Sequence, residues 1–161
     1  MKKSILALLC IGVLFLAGCF NDPVQDDILD YINEKTTTAA QLESQAIATY
    51  GSVSGGNYQD DQTLYDALVN EIIPDYTKFI DELESVDIET EELREVHEIY
   101  LSGAEQQFNG FVKIVEAIDN QDASMIDEAN LMLDEGRENI NEYLDKLNAL
   151  AKEHDVEIEK K

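Results

Sequence analysis

The chain has 161 residues, with 35 acidic and 11 basic side chains and a formal net charge of −24. Its length fits one domain, and its hydrophobic content of 44% permits a packed core. The charge excludes a nucleic-acid binder that neutralises phosphates with Lys and Arg, and it argues against electrostatic attraction to anionic lipids.

The N-terminus has the charge and hydropathy pattern of a secretory signal. Lys2 and Lys3 precede an uncharged, almost entirely apolar run from Ile5 to Ala17. This run of 13 residues is within the range of a signal-peptide core, and it is shorter than the roughly 20 residues that span a membrane. The pattern therefore predicts export of the rest of the chain.

The sequence Leu16-Ala17-Gly18-Cys19 follows the apolar run. It resembles the lipobox of bacterial lipoproteins. The resemblance implies that the thiol of Cys19 receives a diacylglyceryl group and that a dedicated peptidase cuts before it. Residues 1–18 are then a cleaved signal peptide, and residues 19–161 form a domain anchored to the extracytoplasmic face of the cell membrane. The alternatives are an uncleaved anchor helix, or a plain secretory signal in which the cysteine occurs by chance.

Cleavage and acylation would leave no reactive cysteine in the mature chain. Cys10 lies in the discarded segment and Cys19 carries the lipid, which excludes a disulfide, a thiolate metal ligand and a cysteine nucleophile. The loss of Lys2 and Lys3 changes the net charge from −24 to −26. A chain of this charge is repelled by anionic wall polymers and by phospholipid headgroups.

The first helix is predicted to begin at Asp22-Pro23, where an N-cap acid precedes proline. Asp26-Asp27 complement the positive end of its dipole. The apolar stripe of this helix is weakened at Lys35–Thr38, and the composition of Gly51–Asn57 predicts a loop. The stripe comprises Ile28, Ile32, Ala39, Leu42, Ala46 and Tyr50.

Three further apolar stripes follow the loop, and each alternates steps of three and four residues. Pro74 interrupts the second stripe and is expected to kink or briefly break that helix. Thr90 is predicted to cap the third helix, and Ser124 with Asp127 to form a capping box at the fourth. The charged tail from Asp155 to Lys161 is expected to fray.

These stripes predict an all-α fold. Four helices joined by short links run antiparallel to their neighbours, so the expected architecture is an up-down four-helix bundle that follows a cleaved signal peptide. A three-helix bundle with a loose first helix is the competing arrangement, because the first stripe is the poorest. Gly103 and Gly110 lie one heptad apart in the third helix, where they predict close approach of another helix or, alternatively, a small groove.

His97 and His154 are the two histidines and the candidate reactive groups. Neither has a glutamate three residues before it, so the Glu-x-x-His spacing of di-iron bundles is absent. The sequence from His154 to Glu157 resembles the His-x-x-Glu metal motif of helical iron-uptake lipoproteins, and we interpret it as a chance match because no second copy occurs. His97 is either a proton donor or ligand, or a boundary side chain hydrogen-bonded to a carboxylate, and we favour the second interpretation.

Three short sequences, apart from the lipobox, resemble segments of small helical lipoproteins of Gram-positive bacteria. They are Tyr65-Asp66-Ala67-Leu68, Ile73-Pro74-Asp75-Tyr76 and Glu153-His154-Asp155-Val156. This resemblance implies no activity, and Cys19 is the one residue to which we carry a role from lipoproteins.

Two functional hypotheses follow. The first is a membrane-anchored interaction module that binds a protein or a cationic partner through an acidic helix face or the loop from Gly51 to Asp60, where Tyr58 is a contact residue or a helix staple. The second is a small metal-handling or enzymatic lipoprotein that uses His97 or His154. We favour the first because no catalytic motif, phosphate loop or calcium loop occurs, and we expect no cofactor, metal or nucleic acid.

Overall fold

The computed structural model describes residues 22–158, and every regular element in that range is helical, with no β-strand. The predicted all-α class is therefore confirmed. The predicted signal peptide, Cys10 and Cys19 lie outside the described residues. No helix within 22–158 has the length and apolar character needed to cross a membrane. The α-helices are α1 (Pro23–Asp30), α2 (Thr37–Val53), α3 (Asp61–Ala67), α4 (Ile73–Glu84), α5 (Glu91–Asn120) and α6 (Ala123–Glu153).

The first helix begins where the sequence predicts. Asp22 is the N-cap, and its Oδ1 accepts hydrogen bonds from the backbone N–H groups of Val24 (3.0 Å) and Gln25 (3.2 Å), while proline occupies the first helical position. A π-helical turn at Tyr31–Lys35 joins α1 to α2. The helix is interrupted at Thr36, within the segment where the apolar stripe is weakest.

The predicted loop starts later in the structure, and of the kink or break predicted at Pro74, the break does not occur. Helix α2 continues through Gly51 to Val53, so the non-α connection starts at Ser54 and contains a short 3-10 turn at Gly55–Asn57. Gly55 has a φ of +54°, which glycine adopts without steric cost. Before Pro74, a wider π-helical turn at Leu68–Ile72 connects α3 to α4, so the helical path is not broken.

Helices α5 and α6 form a hairpin with a two-residue turn. Gln121 has a φ of +54°, the N–H of Asp122 donates to the carbonyl of Ala117 (3.0 Å), and the N–H of Gln121 donates to that of Ile118 (3.2 Å). These bonds form a Schellman motif with a non-glycine residue in the left-handed position. Asp122 then caps α6 by accepting from the N–H of Ser124, so the predicted capping box at Ser124 is wrong.

Small residues let the backbones of α5 and α6 approach closely. A Cβ atom at Gly103 would lie 3.0 Å from the carbonyl oxygen of Gly136, and one at Gly110 would lie 2.8 Å from the Leu133 side chain. A Cβ atom at Gly136 would lie 2.8 Å from the carbonyl oxygen of Gly103. The close approach predicted for Gly103 and Gly110 is confirmed, and Gly136 supplies the facing position.

Aromatic side chains fill the space between this hairpin and the preceding helices. Tyr76 and Phe79 of α4 are fully buried, and Tyr76 packs edge-on against Phe111 of α5. Tyr50 of α2 contacts Phe111 from another side, with ring centroids 4.9 Å apart. The largest fully buried side chains are Tyr31, Tyr76, Phe79, Phe111, Ile28, Leu68, Ile72, Leu83 and Leu93.

The C-terminal segment is ordered further than predicted. Asp155 adopts a φ of +56°, and the N–H of Val156 donates to the carbonyl of Ala151 at 2.8 Å, which gives α6 a Schellman end. Val156 is buried, and Ile158 packs against the core. The frayed tail expected after His154 is therefore not seen through residue 158, because Val156 and Ile158 supply apolar contacts that the charged composition masks.

We expect Gly136→Ala to destabilise the protein by about 1–3 kcal/mol, because the added methyl would lie 2.5 Å from Gln107 Cγ and would force α5 and α6 apart. Urea unfolding measures the change. Gly51→Ala is the matched control: a Cβ there has no neighbour within 4 Å, so stability should be unchanged or rise by up to about 1 kcal/mol. Equal effects of the two substitutions would contradict the close approach.

Candidate functional site

His154 joins the two ends of the described chain. Its Nδ1 lies 2.7 Å from Oδ2 of Asp22, and its carbonyl accepts a 2.7 Å hydrogen bond from Nε2 of Gln25. The hydrogen bond with His154 is the main cause that lowers the pKa of Asp22. His154 therefore pairs with an acid from the start of α1, and this end of the molecule is where the chain leads back to Cys19, three residues before Asp22.

The opposite end of the molecule contains the connection before α3 and the α5–α6 turn. Asp61, at the start of α3, lines one depression together with Ile118 and Gln121. At 1.5 Å per residue, the 30 residues of α5 place this end about 45 Å from the His154 end. Tyr58 is 47% exposed here and donates a 2.8 Å hydrogen bond to Asp61 Oδ1, so it is a surface residue and not a staple.

His97 is buried, and both of its ring nitrogens have protein partners. Nε2 lies 3.1 Å from the carbonyl oxygen of Leu83, which can only accept, so Nε2 carries the proton. Nδ1 of the neutral ring accepts from the hydroxyl of Tyr31 at 2.9 Å. Burial lowers the pKa of His97, although the hydrogen bond with Leu83 opposes this shift. The predicted carboxylate partner is wrong: the ring bonds a phenol and a backbone carbonyl, because its position faces the core.

Further tyrosines lie next to Tyr31 and link it to other helices by polar and stacking contacts. The Tyr31 hydroxyl interacts with that of Tyr143, and the rings of Tyr143 and Tyr100 stack at 4.2 Å with an interplanar angle of 6°. Tyr100 donates a 2.7 Å hydrogen bond to Oε2 of Glu43. Burial raises the pKa of Tyr143 to about 12, and burial also raises the pKa of Glu43. These phenols therefore keep their protons at neutral pH.

One hydroxyl beside this network has no partner. Among buried side-chain nitrogen and oxygen atoms of the described residues, Oη of Tyr76 is the one that makes no hydrogen bond. Burial raises the pKa of Tyr76, and the nearby charge of Glu43 raises it further. A buried hydroxyl without a partner costs free energy. Tyr76 is therefore retained in the core by its ring contacts and not by its hydroxyl.

Asp27 holds the start of α5 in place from α1. Its Oδ2 accepts from the backbone N–H groups of Glu89 (3.1 Å) and Thr90 (2.9 Å) and from the Thr90 hydroxyl (2.8 Å), and its Oδ1 pairs with Nζ of Lys35 at 3.1 Å. Burial alone would raise the pKa of Asp27, but the hydrogen bonds from Thr90 and Lys35 outweigh burial and lower it. Thr90 is the N-cap residue as predicted, although the capping oxygen belongs to Asp27.

The Asp27 contact and the tyrosine network escaped the sequence patterns. Asp27 follows Asp26 and is indistinguishable in sequence from another first-turn acid. Glu43 carries a signal that was available, because it is the single charged residue between Lys35 and Asp60. In the structure, its half-buried carboxylate accepts the hydroxyl of Tyr100.

Both histidines have partners within the protein: His97 is buried against Tyr31 and Leu83, and His154 pairs with Asp22 at a partly exposed position. Within residues 22–158, no three His, Cys, Asp or Glu side chains converge as a metal site. His97 would have to lose Tyr31 or Leu83 to bind a metal or to exchange a proton with a substrate. His97 and His154 therefore lie in separate places, each with its own partners, and they do not form a common site.

No protein-family model, curated protein or solved structure matches the chain. Function is therefore inferred from the residues, the surface and the motifs of this chain alone.

We expect His97 to make stability fall on acidification from about pH 6.5. Its pKa is lowered in the folded protein, so below its ordinary value near 6.5 the unfolded chain takes up the proton first, and the stability present above that pH is lost. Urea unfolding of the native chain and of His97→Gln between pH 7.5 and 5 tests this. The advantage of the native chain over the variant should shrink as pH falls, and a constant difference would contradict the burial effect.

Two tyrosine-to-phenylalanine variants should behave differently. Tyr31→Phe removes the donor to buried Nδ1 of His97, and we expect it to cost about 1–3 kcal/mol. Tyr76→Phe removes an unpartnered hydroxyl, so stability should stay unchanged or rise by up to about 1 kcal/mol. Thermal and urea unfolding measure the stability of both variants. An equal loss of stability in the two would show that the hydrogen bond from Tyr31 to His97 does not stabilise the fold.

Proposed function

We propose that the chain is a lipid-anchored protein of the extracytoplasmic membrane face that acts by binding a partner. The observation that carries this proposal is the lipobox-like sequence ending at Cys19, three residues before the N-cap of the first helix. Removal of residues 1–18 and acylation of Cys19 are part of the proposal. Two acyl chains make such an anchor durable, because each buried methylene contributes about 0.8 kcal/mol.

We also propose an antiparallel four-helix bundle as the architecture. Its first two members are α1 with α2 and α3 with α4, each joined by a π-helical turn. Helix α4 runs opposite to α5, since Tyr76 packs on Phe111 while Leu83 bonds His97. Helices α5 and α6 form a hairpin with a two-residue turn. Contacts of Tyr31 and Tyr50 with His97 and Phe111 support the same direction for α1–α2 and α5.

Acylation of Cys19 would orient this bundle on the membrane. Cys19 lies three positions before Asp22, a span of at most about 10 Å, so the His154 end would be held near the lipid surface. The opposite end, with Tyr58 and Asp61, would stand about 45 Å farther out. Repulsion between the acidic surface and anionic headgroups would favour an upright molecule.

Partner binding fits the described residues better than catalysis does. Most polar groups with perturbed pKa values in the core bond one another, as the His97–Tyr31 and Tyr100–Glu43 pairs show, and the Tyr76 hydroxyl is the exception. The outer surface carries exposed acids on most helices, which suits a protein or cationic partner. The alternative metal-handling or enzymatic role for His97 or His154 is supported by no contact. Stoichiometric transition metal after mild purification, lost in His97→Ala, would restore it.

We expect Cys19→Ala to abolish lipidation, leaving the protein uncleaved or released into the medium, because the acylated thiol is removed. Labelling with a radioactive fatty acid and mass analysis of the N-terminus measure the result. Cys10→Ala is the matched control and should keep the label, since Cys10 lies in the segment proposed to be discarded. Lipid retained in Cys19→Ala, or residues 1–18 found on the native product, would overturn the anchor.

A further inference from the structure

An open groove of about 370 Å³ lies between α4 and α5 on the surface of the protein. The residues that line it come from both helices and are Thr77, Ile80, Asp81, Glu105, Phe108 and Asn109. We call it the α4–α5 groove. It lies apart from the buried contacts of His97 and from the pair of His154 with Asp22.

The α4–α5 groove combines apolar and acidic side chains. Ile80 and Phe108 are half-buried, whereas Asp81 and Glu105 are exposed. In the described part of the chain, neither of these two carboxylates makes a hydrogen bond or an ion pair. A ligand in the groove therefore meets two unpaired negative charges, an aliphatic side chain and an aromatic ring.

A second groove, between α5 and α6, has a similar mixture of side chains but contains a basic residue of the chain itself. Lys146 lines it together with Glu92, Glu95 and Glu153, and the ammonium group of Lys146 lies 3.5 Å from Glu142. The methylene stem of a lysine can cover apolar surface while its charge stays near carboxylates and water. At the α5–α6 groove, the chain thus supplies its own cation.

The α4–α5 groove has no such residue. None of the side chains that line it is basic. Lys78, the basic residue of α4, pairs instead with Asp75 at 2.8 Å. A cation that neutralises Asp81 and Glu105 therefore has to come from another molecule.

We infer that the α4–α5 groove binds an arginine side chain presented by a basic segment of a partner protein. A guanidinium group offers several N–H donors in one plane to carboxylates such as Asp81 and Glu105, and it stacks on an aromatic ring such as that of Phe108. The methylene stem of the arginine would cover Ile80. The inference rests on the proposed partner-binding role, and it does not depend on the lipid anchor.

Other occupants fit the α4–α5 groove less well. An acidic partner, including a second copy of this chain, would bring further negative charge against Asp81 and Glu105. A neutral apolar segment would cover both carboxylates without pairing them, which costs free energy. A metal ion would leave Phe108 and Ile80 uncovered, and within residues 22–158 no three His, Cys, Asp or Glu side chains converge on one point.

Peptide binding tests the chemistry of the occupant. The probe is a rhodamine-labelled peptide with one central arginine between alanine and serine residues, and two further peptides carry citrulline or lysine at that position. Fluorescence anisotropy measures their binding to the purified native chain. We expect the citrulline peptide, which has the shape of arginine without its charge, to bind about tenfold more weakly. The lysine peptide should bind about threefold more weakly, because an ammonium group has no plane to stack on the ring. Equal binding of the arginine and citrulline peptides would overturn the inference.

Two double variants test the location of the site. Asp81→Asn with Glu105→Gln should weaken binding of the arginine peptide about tenfold. Glu138→Gln with Asp145→Asn is the matched control, since it removes the same two charges from exposed positions on α6 and should change the affinity by less than about twofold. Phe108→Leu keeps an apolar side chain without the ring and should weaken binding about threefold. Circular dichroism checks that each variant is folded. Equal losses in the two double variants would show that the peptide responds to net charge alone and would overturn the site.

Crosslinking in intact cells separates this inference from the proposed function. A photocrosslinking amino acid replaces Thr77 in one full-length chain and Glu138 in another. We expect a protein to be captured from position 77, and this capture should be lost when Asp81→Asn and Glu105→Gln are added. Capture from position 138 but not from position 77 would overturn the α4–α5 groove and leave the partner-binding role in place. Specific binding of the arginine peptide, with no protein captured from either position, would support the site and count against the partner-binding role.

Discussion

The close contact between the backbones of α5 and α6 sets the geometry of the remaining helices. Gly103 and Gly136 face each other without side chains between them, so the two helix axes are close together at these glycines. The larger side chains of α5 are consequently directed to the other side, where Phe111 receives Tyr76 and Tyr50. Because interiors are close-packed, a wider hairpin would shift each of these aromatic contacts.

Polar contacts then determine how α1 and α2 lie on the aromatic core. Asp27 reaches the first N–H groups of α5, and Tyr31 reaches His97 one turn further along. Both contacts are buried and fully hydrogen-bonded, so a slipped helix would leave a charge or a ring nitrogen without a partner. Apolar stripes alone allow several registers, whereas these two bonds favour one.

The sequence predicts the fold class and the start of α1, but it predicts the contacts poorly. The spacing of apolar residues and helix capping both depend on neighbouring residues in the chain. For this reason the sequence alone predicts the helices and the start of α1 at Asp22-Pro23. Asp27 and His97 find partners 62 to 66 positions away, and no local pattern encodes such pairs. The tail is a similar case: Val156 is one apolar residue among charges, and its burial depends on how α6 ends.

The distribution of charge differs between α2 and the other helices. Glu43 is partly withdrawn into the protein and bonds Tyr100, so the core accepts the cost of a desolvated acid on an otherwise neutral helix. An outward-facing acid at that position would be cheaper for folding, because water would solvate it. Glu43 is half-buried, and the residues of α2 that are fully exposed carry no charge. The charge of the exposed surface therefore varies with the helix: exposed acids lie on α1, α4, α5 and α6, and the exposed residues of α2 carry none.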